Sequence, residues 1–346
     1  MNQKNELTKE STIYIKGIAI ILMFCNHLFP IIEWIYPENM YWSISIGEKT
    51  IASYIGGYGK ICVAIFAFLT GIGFYHTLKK YKNNHWIIVY GNQIKKLFYF
   101  LIKYWIILYL FYLPIMIIFT TYKFTLLELL KNMFGISTTI IKVSWYVRFY
   151  IAVIITSPAI FFPLKKCKKK YSELFMLVFI FIIEGIILIR PQKYLAEYFN
   201  YLSIVLIGYI CGKYKIIEKN SIFVSNNILC VVVIGGTVIL RGFYKQFYFL
   251  NMDLLYVPIL LTAILSFLNR NKVFWLKKIF SLLGKYSVEL WFLHAIFFIG
   301  SVEVQRIGYW PKVDFLILLW SIILLFPIAV FYNKLSKLIF NFFEGN

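Results

Sequence analysis

The chain is poor in charged residues, poorer still in acidic ones, and has no long polar stretch. Charged residues make up 15% of its 346 residues and hydrophobic residues 61%, whereas soluble domains have about 25% and 45–50%. Apolar runs of roughly 17–25 residues, long enough to cross a bilayer, recur along the whole chain instead. Such runs argue against a sizeable soluble domain and exclude an outer-membrane barrel, whose strands have about 10 alternating residues. The composition therefore predicts an all-α, polytopic transmembrane helical bundle.

Cysteine is equally scarce, and its five positions form no CxxC pair. Four of the five lie in apolar segments, where a small thiol packs as a core residue. We therefore predict neither a disulfide framework nor a metal site. The net charge of +21 would indicate a nucleic-acid partner in a soluble protein. In a membrane chain the positions of the basic residues matter more, and no nucleic acid is expected.

The apolar runs predict about ten membrane spans. Their approximate ranges are 13–36, 59–78, 97–120, 146–163, 172–190, 198–212, 221–240, 252–268, 286–301 and 314–333. With the N-terminus in the cytoplasm, the inner connections and termini carry roughly twice as many Lys and Arg residues as the outer connections. This bias predicts that both termini are cytoplasmic.

The first span contains a cation and an imidazole, Lys16 and His27, although ionisable groups in a bilayer are costly and usually face a cavity or a partner. Eleven residues separate the two, which is about 20° past three full helical turns and about 16 Å along the axis. They therefore lie on one face of the helix. Lys16 alternatively extends to the lipid headgroups and His27 bonds a neighbouring helix. The shared face favours a functional role for His27 as a general base.

Two further spans carry polar groups. The fourth begins "SWYVRFY", in which Trp145 belongs to an interfacial aromatic belt and Arg148 lies one turn deeper. Arg148 either extends to the headgroups or contacts an anionic or sugar ligand. Glu184 is a carboxylate well inside the fifth span. We expect it to face the bundle, protonated or beside a basic partner.

The ninth span begins "LGKYSVELWFLHAIFF" and holds the last polar candidates. Ser287 and His294 are seven residues apart, so they share a helix face with Trp291. Ser287 is either a ligand contact or the N-cap of the helix.

Four segments in this order resemble motifs of the acyltransferase-3 family, integral-membrane enzymes that O-acylate sugars of bacterial envelopes. "IKGIAIILMFCNH" has a basic residue, ten residues and then His, and "VAIFAFLTGIGFY" is similar to the Phe-rich second helix. "SWYV" matches the motif that opens the fourth helix, and "LGKYSVELWFLH" matches a late Ser and Leu-His motif. The resemblance extends over nearly the whole chain and implies that residues 1–346 form a single transmembrane domain.

This resemblance implies a membrane O-acetyltransferase. An acyl group, most simply acetyl, would move from acyl-CoA to a hydroxyl of a cell-envelope or secreted polysaccharide or of its lipid-linked precursor. Acyl-CoA would be a co-substrate, with no permanently bound cofactor. His27 would be either the general base or a nucleophile that carries the acyl group, and Lys16 would meet the donor. The expected further contacts are Lys79, Lys80, Lys95 and Lys96 for the donor, and Trp145, Arg148, Glu184, Ser287 and His294 for the acceptor.

The expected location is the bacterial cytoplasmic membrane, as a multi-pass protein without an appended soluble esterase-like domain. The expected partners are acyl-CoA, the glycan or lipid-linked acceptor, the bilayer and the glycan-synthesis machinery. An alternative is a transporter or flippase for a glycan precursor, with His27 and Glu184 as relay groups. The sequence lacks the paired Gly/Pro-broken helices of many transporters. A scaffold for a glycan-synthesis complex is the third hypothesis.

Overall fold

A computed structural model describes residues 7–30, 34–81, 86–120, 123–166, 171–189, 193–219, 226–244, 251–271, 273–298 and 301–344, and these are almost entirely helical. The α-helices are α1 (Lys9–Leu28), α2 (Ile51–Gly59), α3 (Ile61–Lys80), α4 (Trp86–Ile107), α5 (Leu113–Phe119), α6 (Leu126–Met133), α7 (Trp145–Lys166), α8 (Ser172–Ile189), α9 (Lys193–Tyr214), α10 (Ile216–Lys219), α11 (Asn227–Tyr244), α12 (Asp253–Arg270), α13 (Phe274–Lys285), α14 (Ser287–Leu293), α15 (Val302–Gly308) and α16 (Asp314–Glu344).

The described secondary structure also includes three non-α helical segments and one small sheet. A π-helical segment, Leu108–Tyr112, joins α4 to α5, and a 3-10 turn, His294–Phe298, follows α14. A second 3-10 turn spans Pro37–Asn39. Strands β1 (Ser45–Ile46) and β2 (Lys49–Thr50) form an antiparallel pair in which Ser45 faces Thr50.

The prediction of an all-α polytopic bundle is confirmed. Among the described residues, seven helical stretches are long and apolar enough to cross a membrane: Lys9–Leu28, Ile51–Lys80, Trp86–Phe119, Trp145–Lys165, Tyr194–Tyr214, Asp253–Arg270 and Asp314–Phe343. The other three predicted spans fall on α8, on α11 and on α14 with its 3-10 turn. Parts of all three, residue 190 and residues 221–225 and 299–300, lie outside the described residues. The first span ends at Leu28 rather than at residue 36, because Pro30 disfavours helical geometry in the residue before it.

The chain folds as two compact units. The first unit comprises residues 1–19, 60–90 and 155–285, and the second comprises residues 20–59, 91–154 and 286–346. Helix α1 contributes its first part to one unit and its second part to the other.

In the first unit, α3 packs against α9 at very close range. A Cβ atom added to Gly71 of α3 would lie 1.8 Å from the carbonyl oxygen of Val205. Only glycine permits this approach, which is how membrane helices gain packing energy without a hydrophobic driving force. Ion pairs join other elements of this unit: Lys213 of α9 pairs with Glu173 of α8, and Arg241 of α11 pairs with Asp253 of α12.

In the second unit, fully buried tyrosines hold the elements together. Each has an apolar ring that packs in the core and a hydroxyl that donates to a main-chain carbonyl of another element. The pairs are Tyr104 with Asn132, Tyr112 with Phe292, Tyr309 with Leu28 and Tyr332 with Lys103. Interhelical hydrogen bonds of this kind stabilise helix packing inside a bilayer.

Candidate active site

Two histidines from distant parts of the sequence meet in the second unit. His27 lies in the last turn of α1, and His294 is the first residue of the 3-10 turn after α14. Nε2 of His294 lies 3.2 Å from Nδ1 of His27, and the ring centroids are 4.7 Å apart. The sequence predicted His294 as an acceptor contact, and the structure places it against the predicted catalytic residue.

The hydrogen-bond partners assign the tautomers of both rings. Nδ1 of His294 lies 2.5 Å from the carbonyl oxygen of Trp291, which only accepts, so this nitrogen carries the proton. In the neutral ring, Nε2 of His294 is therefore an acceptor. Nδ1 of His27 faces that acceptor and also the carbonyl oxygen of Met23 at 3.1 Å, so it is protonated too. It follows that Nε2 of His27 holds the lone pair.

The two rings differ in their access to small molecules. His294 is only 1% exposed, and the ring of Phe24 lies against it with the centroids 5.9 Å apart. His27 is surrounded by protein and yet keeps accessible surface. His27 is therefore the more accessible of the two rings.

The end of α14 is held by a hydroxyl from the π-helical segment. Tyr112 donates to the carbonyl oxygen of Phe292 at 2.8 Å and lies 3.4 Å from that of Leu293. The α-helix ends at Leu293, and the tighter turn that carries His294 begins there. Departures from α-helical geometry, and π segments in particular, are frequent at functional sites.

The start of α14 is held by a buried ion pair that sequence reasoning missed. Glu289, 1% exposed, pairs with Lys103 of α4 and also accepts from the amide of Asn333 of α16. Lys103 lies over the ring of Tyr99, 4.9 Å from its centroid. Charges within two apolar segments were visible in the sequence, but their partnership required the fold. A pair this deeply buried is stable only while both members and their hydrogen bonds are present.

Aromatic rings surround Trp291 on the same helix. Its indole stacks on Phe100 at 6.2 Å with an interplanar angle of 19°, and Tyr150 lies 4.7 Å from Phe100. We name Phe100, Tyr150 and Trp291 the aromatic wall. Within the described part of the chain, the hydroxyl of Tyr150 and the indole N–H of Trp291 form no hydrogen bond, although both side chains keep some exposure. The wall therefore offers apolar faces together with two polar groups.

The other candidates of the second unit lie beside this wall or at a loop. Trp145 lies against Tyr146, whose ring in turn packs edge-on against Trp291 at 5.2 Å. Ser287 is buried and is the first residue of α14; the N-cap position is Tyr286, so the capping alternative for Ser287 is wrong. Their roles as acceptor contacts stay predictions.

Arg148 contacts main-chain carbonyls. Its guanidinium donates to the carbonyl oxygen of Gly135 at 3.0 Å and lies 3.4 Å from that of Ile136. Gly135 has a φ of +65°, a left-handed conformation that favours glycine. These contacts give Arg148 a structural role in this loop, and its predicted role in ligand binding stays a prediction.

Lys16 lies in the first unit, on a turn of α1 that packs tightly against α13. A Cβ atom on Gly17 would lie 1.9 Å from the carbonyl oxygen of Phe280, and one on Gly284 would lie 1.8 Å from that of Ile13. The ammonium of Lys16 makes no hydrogen bond or ion pair with any residue that the structure describes. A cation held inside a span without a carboxylate partner is suited to an anionic ligand.

Glu184 is a second ionisable group buried in the first unit. It is 6% exposed, and neither carboxyl oxygen has a hydrogen-bond partner among the described residues. The nearby hydroxyl of Ser203 donates to the carbonyl oxygen of Asn200 instead, at 3.0 Å. The basic partner considered for Glu184 is thus not found in the described part of the chain.

The predicted donor-binding lysines are exposed. Lys79 and Lys80 end α3 in the first unit, and Lys95 and Lys96 lie on α4 in the second. Lys79, Lys80 and Lys95 each lie over an aromatic ring, 5.4–5.9 Å from its centroid. No cluster of three or more His, Cys, Asp or Glu that could bind a metal occurs among the described residues.

A comparison with family models decides the class of the protein. The model for the acyltransferase-3 family, described as an acyltransferase domain, matches residues 11–334. The chain belongs to the acyltransferase-3 family. No match was found among curated proteins or among solved structures.

In this acyltransferase the paired histidines lie within the matched residues, as do Lys16 and Glu184, for which the described residues show no partner. It is therefore an enzyme that transfers acyl groups other than aminoacyl groups, and its apolar helices make it a multi-pass membrane protein. The sequence motifs identified His27 and Lys16, whereas the contact between His27 and His294 came only from the fold.

Proposed function

We propose that this acyltransferase moves an acetyl group from acetyl-CoA to a hydroxyl of a cell-envelope polysaccharide or of its lipid-linked precursor. The observation that carries the proposal is the tautomer of His27. Nδ1 of His27 faces two acceptors, which leaves the lone pair on Nε2, and the side chain as a whole keeps some accessible surface within a helical membrane protein of an acyltransferase family. A neutral imidazole with an accessible lone pair is the usual general base for activating a hydroxyl.

In the proposed mechanism, His27 acts as the general base for acetyl transfer from the thioester to the acceptor hydroxyl. Nε2 of His27 takes the proton of the acceptor hydroxyl as the oxygen attacks the carbonyl carbon of the thioester. The carbon–sulfur bond breaks, and the coenzyme A thiolate takes the proton from His27. The products are an O-acetyl ester and free coenzyme A, and His27 returns to its starting state. In the variant mechanism, Nε2 attacks the thioester first, the carbon–sulfur bond breaks and the coenzyme A thiolate leaves. The acceptor oxygen then attacks the acetyl group on Nε2, the thiolate takes the hydroxyl proton, and Nε2 regains its lone pair.

The donor site is assigned to the basic residues of the first span and of the cytoplasmic side. Coenzyme A is a polyanion, and Lys16 is a cation that has no protein partner among the described residues. The exposed lysines Lys79, Lys80, Lys95 and Lys96 would raise the local concentration of the anionic donor. Acetyl-CoA binds as a co-substrate and leaves as coenzyme A, so no permanently bound cofactor is needed.

The acceptor site is assigned to the aromatic wall and its neighbours. A pyranose ring has apolar faces and hydroxyl edges, which suits stacked rings that also present the Tyr150 hydroxyl and the Trp291 N–H. Trp145, Ser287, Arg148 and Glu184 are further candidates for contacts with the acceptor. We place the enzyme in the bacterial cytoplasmic membrane, beside the machinery that makes the glycan.

The decisive experiment measures O-acetyl groups on the glycan. A deletion strain is complemented with the wild-type chain, with His27→Ala or with His76→Ala, an exposed histidine of α3 that serves as the control. We expect ¹H NMR of the purified glycan to show O-acetyl signals for wild type and His76→Ala. His27→Ala should lose them by a factor of roughly 10²–10⁴ at equal membrane levels by immunoblot.

Two outcomes would contradict the proposal. Normal O-acetyl content with His27→Ala would remove His27 from the chemistry. Loss of the exported glycan itself, with unchanged acetylation of what remains, would favour the transporter or flippase.

A further inference from the structure

We propose that His294 is a positioning residue, which holds His27 in its productive tautomer and accepts a hydrogen bond from it when it becomes charged. This assignment rests on the proposed role of His27 as the base. It replaces the acceptor-binding role that the sequence motif gave to His294. The inference comes from three hydrogen-bonding steps, each visible in the second unit.

The first step fixes the direction of the hydrogen bonds. Because the Trp291 carbonyl cannot donate, the 2.5 Å contact gives the Nδ1 proton to His294. His294 is almost completely buried, so no bulk water competes for this bond. Its Nε2 atom is therefore held as an acceptor that points at His27.

The second step concerns the charge on His27. Its Nδ1–H has two acceptors, the Met23 carbonyl oxygen at 3.1 Å and Nε2 of His294 at 3.2 Å. When Nε2 of His27 takes a proton, the positive charge spreads over both nitrogens, and both bonds become charge-assisted and stronger. A triad stabilises its imidazolium in the same way with a carboxylate. Here a neutral imidazole does so, without placing a second charge in the membrane.

The third step explains why His294 stays in place. The carbonyl of Trp291 accepts from the His294 ring, and the next two carbonyls, those of Phe292 and Leu293, face the hydroxyl of Tyr112. Side chains thus bind three successive carbonyls at the end of α14. This arrangement fixes the turn that carries His294, and it makes Tyr112 a second positioning residue.

The pairing is tested first without any substrate. The chain has four histidines, so ¹⁵N-histidine solid-state NMR of the full-length protein in lipid bilayers is resolvable. His27→Gln and His294→Gln assign the two relevant rings. We expect Nδ1 to be protonated and Nε2 bare in both, with a through-hydrogen-bond ¹⁵N–¹⁵N coupling between Nδ1 of His27 and Nε2 of His294. A proton on Nε2 of His27, or the absence of the coupling, would overturn the inference.

The second test separates positioning from folding. His294→Gln places an amide oxygen close to the lost Nε2 and keeps an acceptor, whereas His294→Phe keeps a ring without one. We expect His294→Phe to lower kcat by a factor of roughly 10–100, the effect of one hydrogen bond to a charged group. The KM for acetyl-CoA should stay unchanged, and His294→Gln should recover most of the loss.

Two failures are distinguishable. Equal losses in His294→Gln and His294→Phe would refute the positioning role alone. Full acetyl transfer by His27→Gln would refute the proposed role of His27 as the base and, with it, the dependent role of His294. The NMR coupling decides independently whether the two rings are paired.

Discussion

Two ionisable groups buried in helices of the first unit, Lys16 and Glu184, differ from the four at the candidate site of the second unit. In the first unit, Lys16 and Glu184 lie within apolar helices and have no partner among the described residues. In the second unit, Lys103 is paired with Glu289, and His27 with His294. Unpaired charges in a bilayer raise the energy of the ligand-free protein and are suited to binding ligands, whereas paired groups are pre-organised. The contrast predicts that substitutions of Lys16 and Glu184 change activity, whereas substitutions of the paired groups Lys103 and Glu289 change stability.

Removing one member of the buried pair should have the largest effect on stability. Glu289→Gln leaves the Lys103 ammonium uncompensated inside the second unit, so we expect the free energy of unfolding to fall by about 3–5 kcal/mol. Reversible unfolding in mixed micelles measures it. The control is Glu218→Gln, which removes the exposed pair with Lys215 and should cost less than about 1 kcal/mol. Equal effects of the two substitutions would remove the contrast between the units.

Removing an unpaired charge should change activity rather than stability. We expect Lys16→Met to raise the KM for acetyl-CoA by a factor of roughly 10–100, because one charged contact to the donor is lost. The free energy of unfolding should not fall, since no ion pair within the described residues is broken. Lys16→Arg should keep most of the activity. Lys9→Met, at an exposed position of the same helix, is the control; a similar KM in both Met variants would argue against donor binding by Lys16.

The ion pair of α11 and α12 should show a smaller, purely structural effect. Arg241 donates twice to the carboxylate of Asp253, at 2.8 and 3.0 Å. Arg241→Lys keeps the charge but loses one of the two bonds, which should cost about 1 kcal/mol in thermal unfolding. Acetyl transfer should be unchanged. A loss of activity at full stability would instead bring this pair into the ligand site.

The smallest effect on stability is expected at Glu184. Glu184→Gln keeps the shape of the side chain, and no hydrogen bond within the described residues is lost. We therefore expect the midpoint of thermal unfolding not to fall, while the O-acetyl content of the glycan decreases. A drop in the midpoint with unchanged O-acetyl content would show that Glu184 is structural and would end its candidacy as an acceptor contact.

The sequence predicted the helical membrane architecture because long apolar runs have few other solutions in a bilayer. It also identified His27, since an imidazole in such a run is costly enough to stand out. The end of the first span was wrong, because apolar residues continue past the point where Pro30 makes the helix stop. The hydropathy of a segment stays high across a proline, so hydropathy alone does not show where the helix ends.

The pairings could not be predicted, because they join positions far apart in the chain. His27 and His294 are separated by 267 positions, and Lys103 and Glu289 by 186. Each side chain was visible as a polar group in an apolar segment, but helical periodicity fixes only its own face and not the neighbour that it meets. Ser287 shows the same limit on a smaller scale. Its residue type suggested an N-cap, but Ser287 is the first residue of the helix and Tyr286 is the N-cap.

The buried tyrosines of the second unit have a consequence for motion. Their hydroxyls bind specific carbonyls of other elements, so a helix that slid by one turn, about 5.4 Å, would break these bonds together. Sliding of one helix past another by a full turn therefore costs several hydrogen bonds within this unit. Bending at the π-helical segment Leu108–Tyr112 or at the 3-10 turn His294–Phe298 remains the economical way to change its shape. Tyr112 ends the π-helical segment and binds the carbonyls just before the 3-10 turn, so bending at either place would also move His294 relative to His27.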